Sequence, residues 1–479
     1  MVRAHRPRAL AAGLKAALLL FAMTACDYSR YPNSTFSPHT EFGVAEDKLW
    51  NTLLFLGTAV FIFVEIFLVV TIVKFRRKPG QKNPEHVHGN TTLEILWTVI
   101  PAVILVFIAV PTVRTIFRTQ AKAVSGALQV EVYGHQWWWE FRYPQYTTRN
   151  PTTGKLDTLT TANELYLPIG RTVNFALRTA DVLHSFWIPQ MGGKRDLIAN
   201  HTNYLWFTPH DTMTTSAWNG SCNEYCGASH ANMKFRAFTV TPAEFASWVA
   251  GQQQPAAYGA VAPTPAAGAA TPSGASPAPN AAPAGAEVVA ARAANQQTVA
   301  AGAAVPNAAG QPAAGAQAAG GPTASATTAI APATLTTVAY TFPREKLPAY
   351  VIPHTPYPDG LTFPSNVQGD AARGLKTYSS SACIGCHVIR GNPMSMGVLG
   401  PNLTHIASRT TIAGGLFPND AQHLQHWIKN ARAMKPGVQM PTLGLNETDP
   451  ITGAKVTAGL GGLTDQQIAD ITAYLQSLK

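Results

Sequence analysis

Residues 221–233 read SCNEYCGASHANM. Two thiols, an imidazole and a thioether fall in one short run, as Cys222-x3-Cys226-x3-His230-x2-Met233, with Glu224 between the cysteines. A disulfide between the two cysteines leaves His230 and Met233 without a role. A tetrahedral zinc site takes Cys and His but does not favour a thioether. A mononuclear blue-copper site takes one thiolate, two imidazoles and a weak axial methionine, so one thiolate is left over. Two thiolates can instead bridge two copper ions, each completed by one imidazole and one weak ligand. The count then fits, with His184 of DVLHSFWIP as the second imidazole and with Met233 and the main-chain carbonyl of Glu224 as the weak ligands. Soft sulfur donors suit copper.

Such a loop needs a rigid frame, and the flanking sequence supplies one. ALQVEVYGHQWWWEFRYP (127–144) alternates and is aromatic and β-branched, and LYLPIGRTVNFALRTADVLHSFWIPQ (165–190) reads as two further strands around a turn. TNYLWFTP and KFRAFTVTP continue the pattern. Short strands between turn signals predict an all-β sandwich over 126–250.

Upstream lie two apolar runs, residues 49–73 and about 95–116, each long enough to cross a bilayer as a helix. The loop between them, KFRRKPGQKNPEHVHGN, is rich in Lys and Arg and faces the cytoplasm by the positive-inside tendency. The hairpin at 40–120 therefore puts the later domains on the outer side, in an oxidising compartment. Glu65 lies inside the first run, where a carboxylate faces a partner protein or is protonated. Glu94 opens the second run and reads first as an N-terminal helix acid favoured by the helix dipole.

The N-terminus has a basic MVRAHRPR, an apolar stretch and then MTAC. This is a signal-peptide layout over 1–25, with a lipoprotein-type cleavage before Cys26 as the reading that accounts for the odd cysteine among five. The net charge of +10 forms no long basic stripe, and only 13% of residues are charged, so nucleic acid is not an expected partner.

Residues 251–340 are mostly Ala, Pro, Gly, Ser and Thr, with Glu287 and Arg292 as the only charges. Too few large apolar residues are present to offset the entropy of ordering, so a disordered tether with a span of roughly 50 Å is expected. Beyond it, Cys383-Ile-Gly-Cys386-His387 is a C-x-x-C-H run, the attachment signature of c-type haem with His387 as the proximal ligand. A thioredoxin-type redox pair would need a βαβ context, whereas the flanks here are helical. The sixth haem ligand should be a downstream methionine: Met440 in GVQMPTLG, with Met434 as the runner-up and a packing role expected for it.

Taken together, the hairpin, GHQWWWEF, DVLHSFWIP and CNEYCGASHANM resemble subunit II of haem–copper cytochrome c oxidases over residues 40–245. Residues 365–479, with the C-x-x-C-H run and GPNL at 400–403, resemble class I cytochromes c. The combination is similar to the caa3-type fusion. The resemblance implies a multidomain chain: two transmembrane helices, a cupredoxin fold with a binuclear CuA centre on His184, Cys222, Glu224, Cys226, His230 and Met233, the linker, and an all-α haem domain. It further implies a Mg or Mn ion on the Glu224 side chain, Trp137 as the aromatic where electrons come in, and Glu94 at the mouth of a proton-uptake path. Implied partners are subunit I, subunit III, and a reduced cytochrome c or bc1 complex as donor, all at a bacterial inner membrane. The implied activity is electron input, from haem c to CuA to haem a of subunit I, for reduction of oxygen to water with proton pumping. A copper-delivery protein and a membrane-tethered carrier for another reductase are the rivals. One departure stands out: after GGKRDLI the family usually has Pro-Gly, and this chain has Ala199-Asn200. Asn tolerates the left-handed conformation such a turn needs.

Overall fold

The structure is a computed structural model, and it describes residues 33–80, 88–120, 125–150, 153–256 and 340–479. The signal-peptide and Cys26 expectations, and nearly all of the linker, lie outside these residues.

Helices α1 (Glu41–Lys74) and α2 (Thr91–Gln120) form the hairpin. Thr40 caps α1 by accepting from the Gly43 N–H at 3.1 Å, and its hydroxyl donates to Met191 O at 2.6 Å. Glu41 accepts from the Thr208 N–H and hydroxyl at 3.0 and 2.7 Å. Phe42 is buried in the core of the β domain. The first helical turn is thus part of that domain, and the rest of the helix presents an apolar surface (Phe61, Phe63, Phe67) suited to lipid or another helix.

Ten strands follow: β1 (Leu128–His135), β2 (Trp138–Arg149), β3 (Leu156–Ala162), β4 (Glu164–Pro168), β5 (Val173–Thr179), β6 (His184–Ile188), β7 (Gly192–Leu197), β8 (Asn203–Phe207), β9 (Ser216–Cys222) and β10 (Lys234–Val240). They make two five-stranded sheets, ordered β3-β2-β1-β5-β8 and β4-β10-β9-β6-β7. Within them β1 and β5 run parallel, as do β4 and β10. Residues 164–190 hold three strands where the pattern suggested two, because turns at Gly170 and Asp181 divide the apolar run twice. The facing sheets close on Trp139, Phe141, Phe186 and Phe235, with Phe186 stacked on Phe235 at 5.1 Å between ring centroids. Each such ring, fully buried, contributes about 3 kcal/mol before ordering entropy. Asn200 takes φ 59, the left-handed conformation expected for the residue standing where the family has glycine. Helix α3 (Pro242–Gln252), started by a Thr241–Glu244 capping box, lays Phe245 and Trp248 against the sandwich.

The C-terminal domain is helical: α4 (Ala371–Ser379), the single turn α5 (Cys383–Cys386), α6 (Ala421–Lys429), the turn α7 (Ala431–Met434) and α8 (Asp465–Ser477). Helices α4 and α8 pack closely, with Tyr378 and Tyr474 in ring contact at 5.5 Å. Asp470 of α8 accepts from Arg373 Nε and the Asp370 N–H of α4 at 2.9 and 2.8 Å. Residues 341–364 carry no expected assignment; Phe342 and Val351 are buried in the sandwich core, so residues 340–351 pack with the β domain although they follow the linker.

Candidate metal centre and haem site

Strand β6 brings His184, the end of β9 brings Cys222, and the loop between β9 and β10 brings Glu224, Cys226, His230 and Met233. These are the residues expected from sequence, and they converge. The Cys222 and Cys226 sulfurs lie 3.7 Å apart and both are free thiols. His184 Nδ1 lies 3.8 Å from Cys222 Sγ, and His230 Nδ1 lies 3.6 Å from Cys226 Sγ. Met233 Sδ is 3.8 Å from Cys226 Sγ, and Glu224 O is 3.2 Å from Cys222 Sγ. Each sulfur therefore has one imidazole beside it. His184, Cys222, Cys226 and Met233 are all buried. Two soft sulfurs beside two imidazole nitrogens, with a thioether and a carbonyl close by, are a donor set that would suit copper.

The surrounding hydrogen bonds aim these ligands. His184 Nε2 meets Asp181 Oδ1 at 2.8 Å, which places the ring proton there and leaves Nδ1 free as a ligand. Asp181 also accepts from the Gln136 N–H. Burial would push the Asp181 carboxyl up, but the His184 and Gln136 bonds outweigh it and hold the group below the usual carboxylate range. The contact with the Cys226 sulfur and the His184 bond outweigh burial and hold the Cys222 thiol well below the usual thiol range. The Cys226 carbonyl accepts from Gln136 Nε2 at 2.8 Å and from Trp137 Nε1 at 2.9 Å. Asp181 and Gln136 were not singled out from sequence; the only signal for Asp181 is its place three residues before His184.

Trp137 therefore touches the loop that carries Cys226 on one side. On the other it meets the C-terminal domain. Gly437, at φ 87, packs so closely that a Cβ there would lie 3.0 Å from Trp137 Cη2. The Lys435 ammonium donates to Trp137 O at 2.7 Å and to Ala413 O at 3.1 Å, and burial pushes it down to about 7. The Ser229 hydroxyl donates to Pro436 O.

In the haem domain Cys383, Cys386 and His387 share one turn, half-buried. His387 Nδ1 donates to Pro401 O at 2.8 Å, leaving Nε2 as the free nitrogen. A Cβ on Gly400 would fall 2.5 Å from His387 Cε1, so only glycine lets the ring lie flat there. A thiol pair beside an oriented imidazole would suit a covalently attached haem, with His387 available to its iron. Met440 is half-buried on an irregular segment, Met434 is buried in the helical core, and Met394 and Met396 are exposed. Glu94 stands apart from both sites, exposed in the first turn of α2, roughly 40 Å by helix rise from the end that joins the sandwich.

A two-helix membrane anchor, a cupredoxin sandwich with a two-thiolate ligand set and a c-type cytochrome domain define a membrane-bound electron-transfer protein. Comparison with known proteins agrees. Residues 37–115 match the transmembrane domain and residues 128–240 the periplasmic domain of cytochrome c oxidase subunit II, and residues 371–479 match cytochrome c. Cytochrome c oxidase subunit 2 of Alkalihalophilus pseudofirmus is 26% identical, over 90% of this chain and 86% of the relative. A probable cytochrome c oxidase subunit 2 of Rickettsia bellii is 32% identical, over 44% of this chain and 81% of the relative. The crystal structure of the periplasmic domain of subunit II from Bradyrhizobium japonicum is 29% identical, covering 28% of this chain and 96% of that one, with a TM-score of 0.22. The chain belongs to the cytochrome c oxidase subunit 2 family, and carries a C-terminal cytochrome c domain as in the caa3 type. It is an electron-input subunit of a haem–copper oxidase, anchored in a membrane with its sandwich on the periplasmic side, and it works with subunit I.

Proposed function

We propose that the cytochrome domain receives electrons and hands them to the sandwich across the contact between residues 435–437 and Trp137. The observation that carries this is the run of touching groups from Gly437 through the Trp137 ring and its indole N–H to the carbonyl of Cys226. Cys222, Cys226, His184, His230, Met233 and the Glu224 carbonyl hold two copper ions; Cys383, Cys386, His387 and Met440 hold one haem c. When bound, these groups supply one-electron redox chemistry. The protein's own part is rigidity and dryness: buried ligands, an Asp181-fixed imidazole and an aromatic wall, which keep the site from rearranging as charge moves.

From the sandwich, electrons go on to haem a of subunit I, where oxygen is reduced to water and protons are pumped. A Mg or Mn ion on the Glu224 side chain, proton uptake past Glu94, subunit III, an external cytochrome c or bc1 donor, and a lipidated Cys26 after signal cleavage in a bacterial inner membrane complete the reading. Support for these comes from the family resemblance and from the order of segments along the chain.

The test is the EPR spectrum of the full chain, matured with haem and loaded with copper. The expected spectrum has one unpaired electron shared equally by two coppers, lost in Cys222→Ser. A single-copper spectrum, or zinc alone in folded protein, overturns the assignment.

A further inference from the structure

The segment between the two exported domains has the composition of a leash, yet its described ends do not behave like one. On the near side, the Gln252 carbonyl accepts from Arg390 NH1 at 3.0 Å, the Gln254 carbonyl meets His405 Nε2 at 3.1 Å, and the Ala256 N–H donates to Arg390 O at 3.4 Å. The chain has thus reached the haem domain within the first residues of the Ala/Pro-rich stretch. On the far side, residues 340–351 return to the sandwich. The Phe342 ring packs tilted against Phe238 at 4.6 Å between centroids, the Tyr350 hydroxyl donates to Ala217 O at 3.1 Å, and the Val351 carbonyl accepts from Arg236 Nε at 2.9 Å. Gln252 and Tyr340 line one small cavity, so the two ends sit together.

Between these straps the domains meet through buried titratable side chains whose hydrogen bonds cross the contact. Glu164 of β4 accepts from the Thr410 N–H and hydroxyl, both at 2.7 Å. Arg236 of β10 donates to Gly415 O at 3.1 Å as well as to Val351 O. Lys435 reaches back to Trp137 O. Glu164, Arg236 and Lys435 are 4%, 4% and 2% exposed. A domain that came and went would have to break and remake all of these hydrogen bonds and resolvate the groups in every cycle. It would also bare Trp137, which is 9% exposed.

We propose that the haem domain is a permanently docked donor, clamped by the straps at 252–256 and 340–351, so that the length of the chain between the straps does not govern electron transfer. This rests on the electron-input reading of the site. It adds that no soluble donor reaches the Trp137 face of the sandwich, because residues 435–437 already occupy it.

The test places a specific protease site near residue 300 of the full chain, in detergent, with haem and copper in place. After cleavage the haem fragment is expected to co-elute with the membrane-anchored half, and reduction of copper by haem is expected to stay first-order with its rate unchanged within twofold. Separation of the haem fragment from the unsubstituted protein overturns the proposal. In Thr410→Asp, which sets a carboxylate against Glu164, cleavage is expected to release the fragment; unchanged haem absorption reports that the variant has folded. Retention in that variant would show that the hold lies elsewhere and overturn the assignment to this contact. Failure of the copper reading is seen separately, as loss of the binuclear EPR spectrum with co-elution intact.

Discussion

In the sandwich, the copper ligands hang from a core already closed by Trp139, Phe141, Phe186 and Phe235, and His184 and Met233 have no exposed surface. In the haem domain, Cys383, Cys386 and His387 lie half-buried in one turn at the margin of a smaller core of aliphatic side chains with Tyr378, Phe417 and Tyr474. One site is an outgrowth of a fold that stands on its own aromatic packing. The other sits where the prosthetic group itself will finish the packing. One proposed redox site is thus framed by protein packing complete without it, and the other by packing that the prosthetic group would complete.

That contrast is broken most directly by removing the ligands of each site. The double substitution Cys383→Ala/Cys386→Ala should abolish covalent haem, read by haem staining of a denaturing gel, and should leave residues 371–479 open to protease. The copper EPR spectrum should survive; its loss would mean that the sandwich depends on the haem domain. Conversely, Cys222→Ser should remove the binuclear spectrum but cost the apo sandwich only about 1–2 kcal/mol, a shift of a few degrees in Tm. Collapse of the sandwich in that variant would overturn the claim that its core is self-sufficient.

Two further substitutions sharpen the comparison within the copper half. Asp181→Asn keeps the shape but weakens the hold on His184 Nε2. Copper affinity should fall by about 10–100-fold, as measured by competition with a chelator. No change would mean that packing alone orients His184. Trp137→Phe removes the indole N–H donated to Cys226 O. Haem-to-copper transfer should slow by roughly tenfold, equal to about 1.4 kcal/mol of barrier, with the EPR spectrum kept. Flash-photolysis kinetics at an unchanged rate would place the path elsewhere.

The ligand residues were readable because chemistry restricts them: few side chains bind copper or haem, and their spacing along one loop survives in the sequence. Asp181 was not readable, since an aspartate after a strand reads equally well as a turn. Nor was Lys435, whose bond to Trp137 O spans 298 positions and leaves no local pattern. Residues 340–351, YTFPREKLPAYV, carry no periodicity of two or 3.6, so their burial in the sandwich follows only from the folded chain. The count of strands between 164 and 190 failed for a related reason: hydrophobic residues mark what is buried, whereas the two turns at Gly170 and Asp181 decide how often the chain reverses.

The smallest expected effect tests whether the haem domain has its own acid sensitivity. Burial alone would push the Asp449 carboxyl up. It is outweighed by the Thr452 N–H at 3.0 Å, Arg432 NH1 at 2.7 Å and the Ile451 N–H at 2.9 Å, which together hold the group well below the usual carboxylate range. A carboxyl whose folded value lies below its unfolded value stabilises the fold above the ordinary range near 4, and the contribution fades as pH falls through the depressed value. Asp449→Asn should therefore lower the stability of residues 371–479 by about 1 kcal/mol at pH 7. The difference from the parent should shrink steadily below about pH 4. Denaturant titrations followed at the haem absorption band, run at pH 7 and pH 3, read this directly, while copper absorbance reports the sandwich in the same tube. An equal loss at both pH values would make Asp449 a packing residue, and a shift of the copper transition as well would tie the two domains into one unfolding unit.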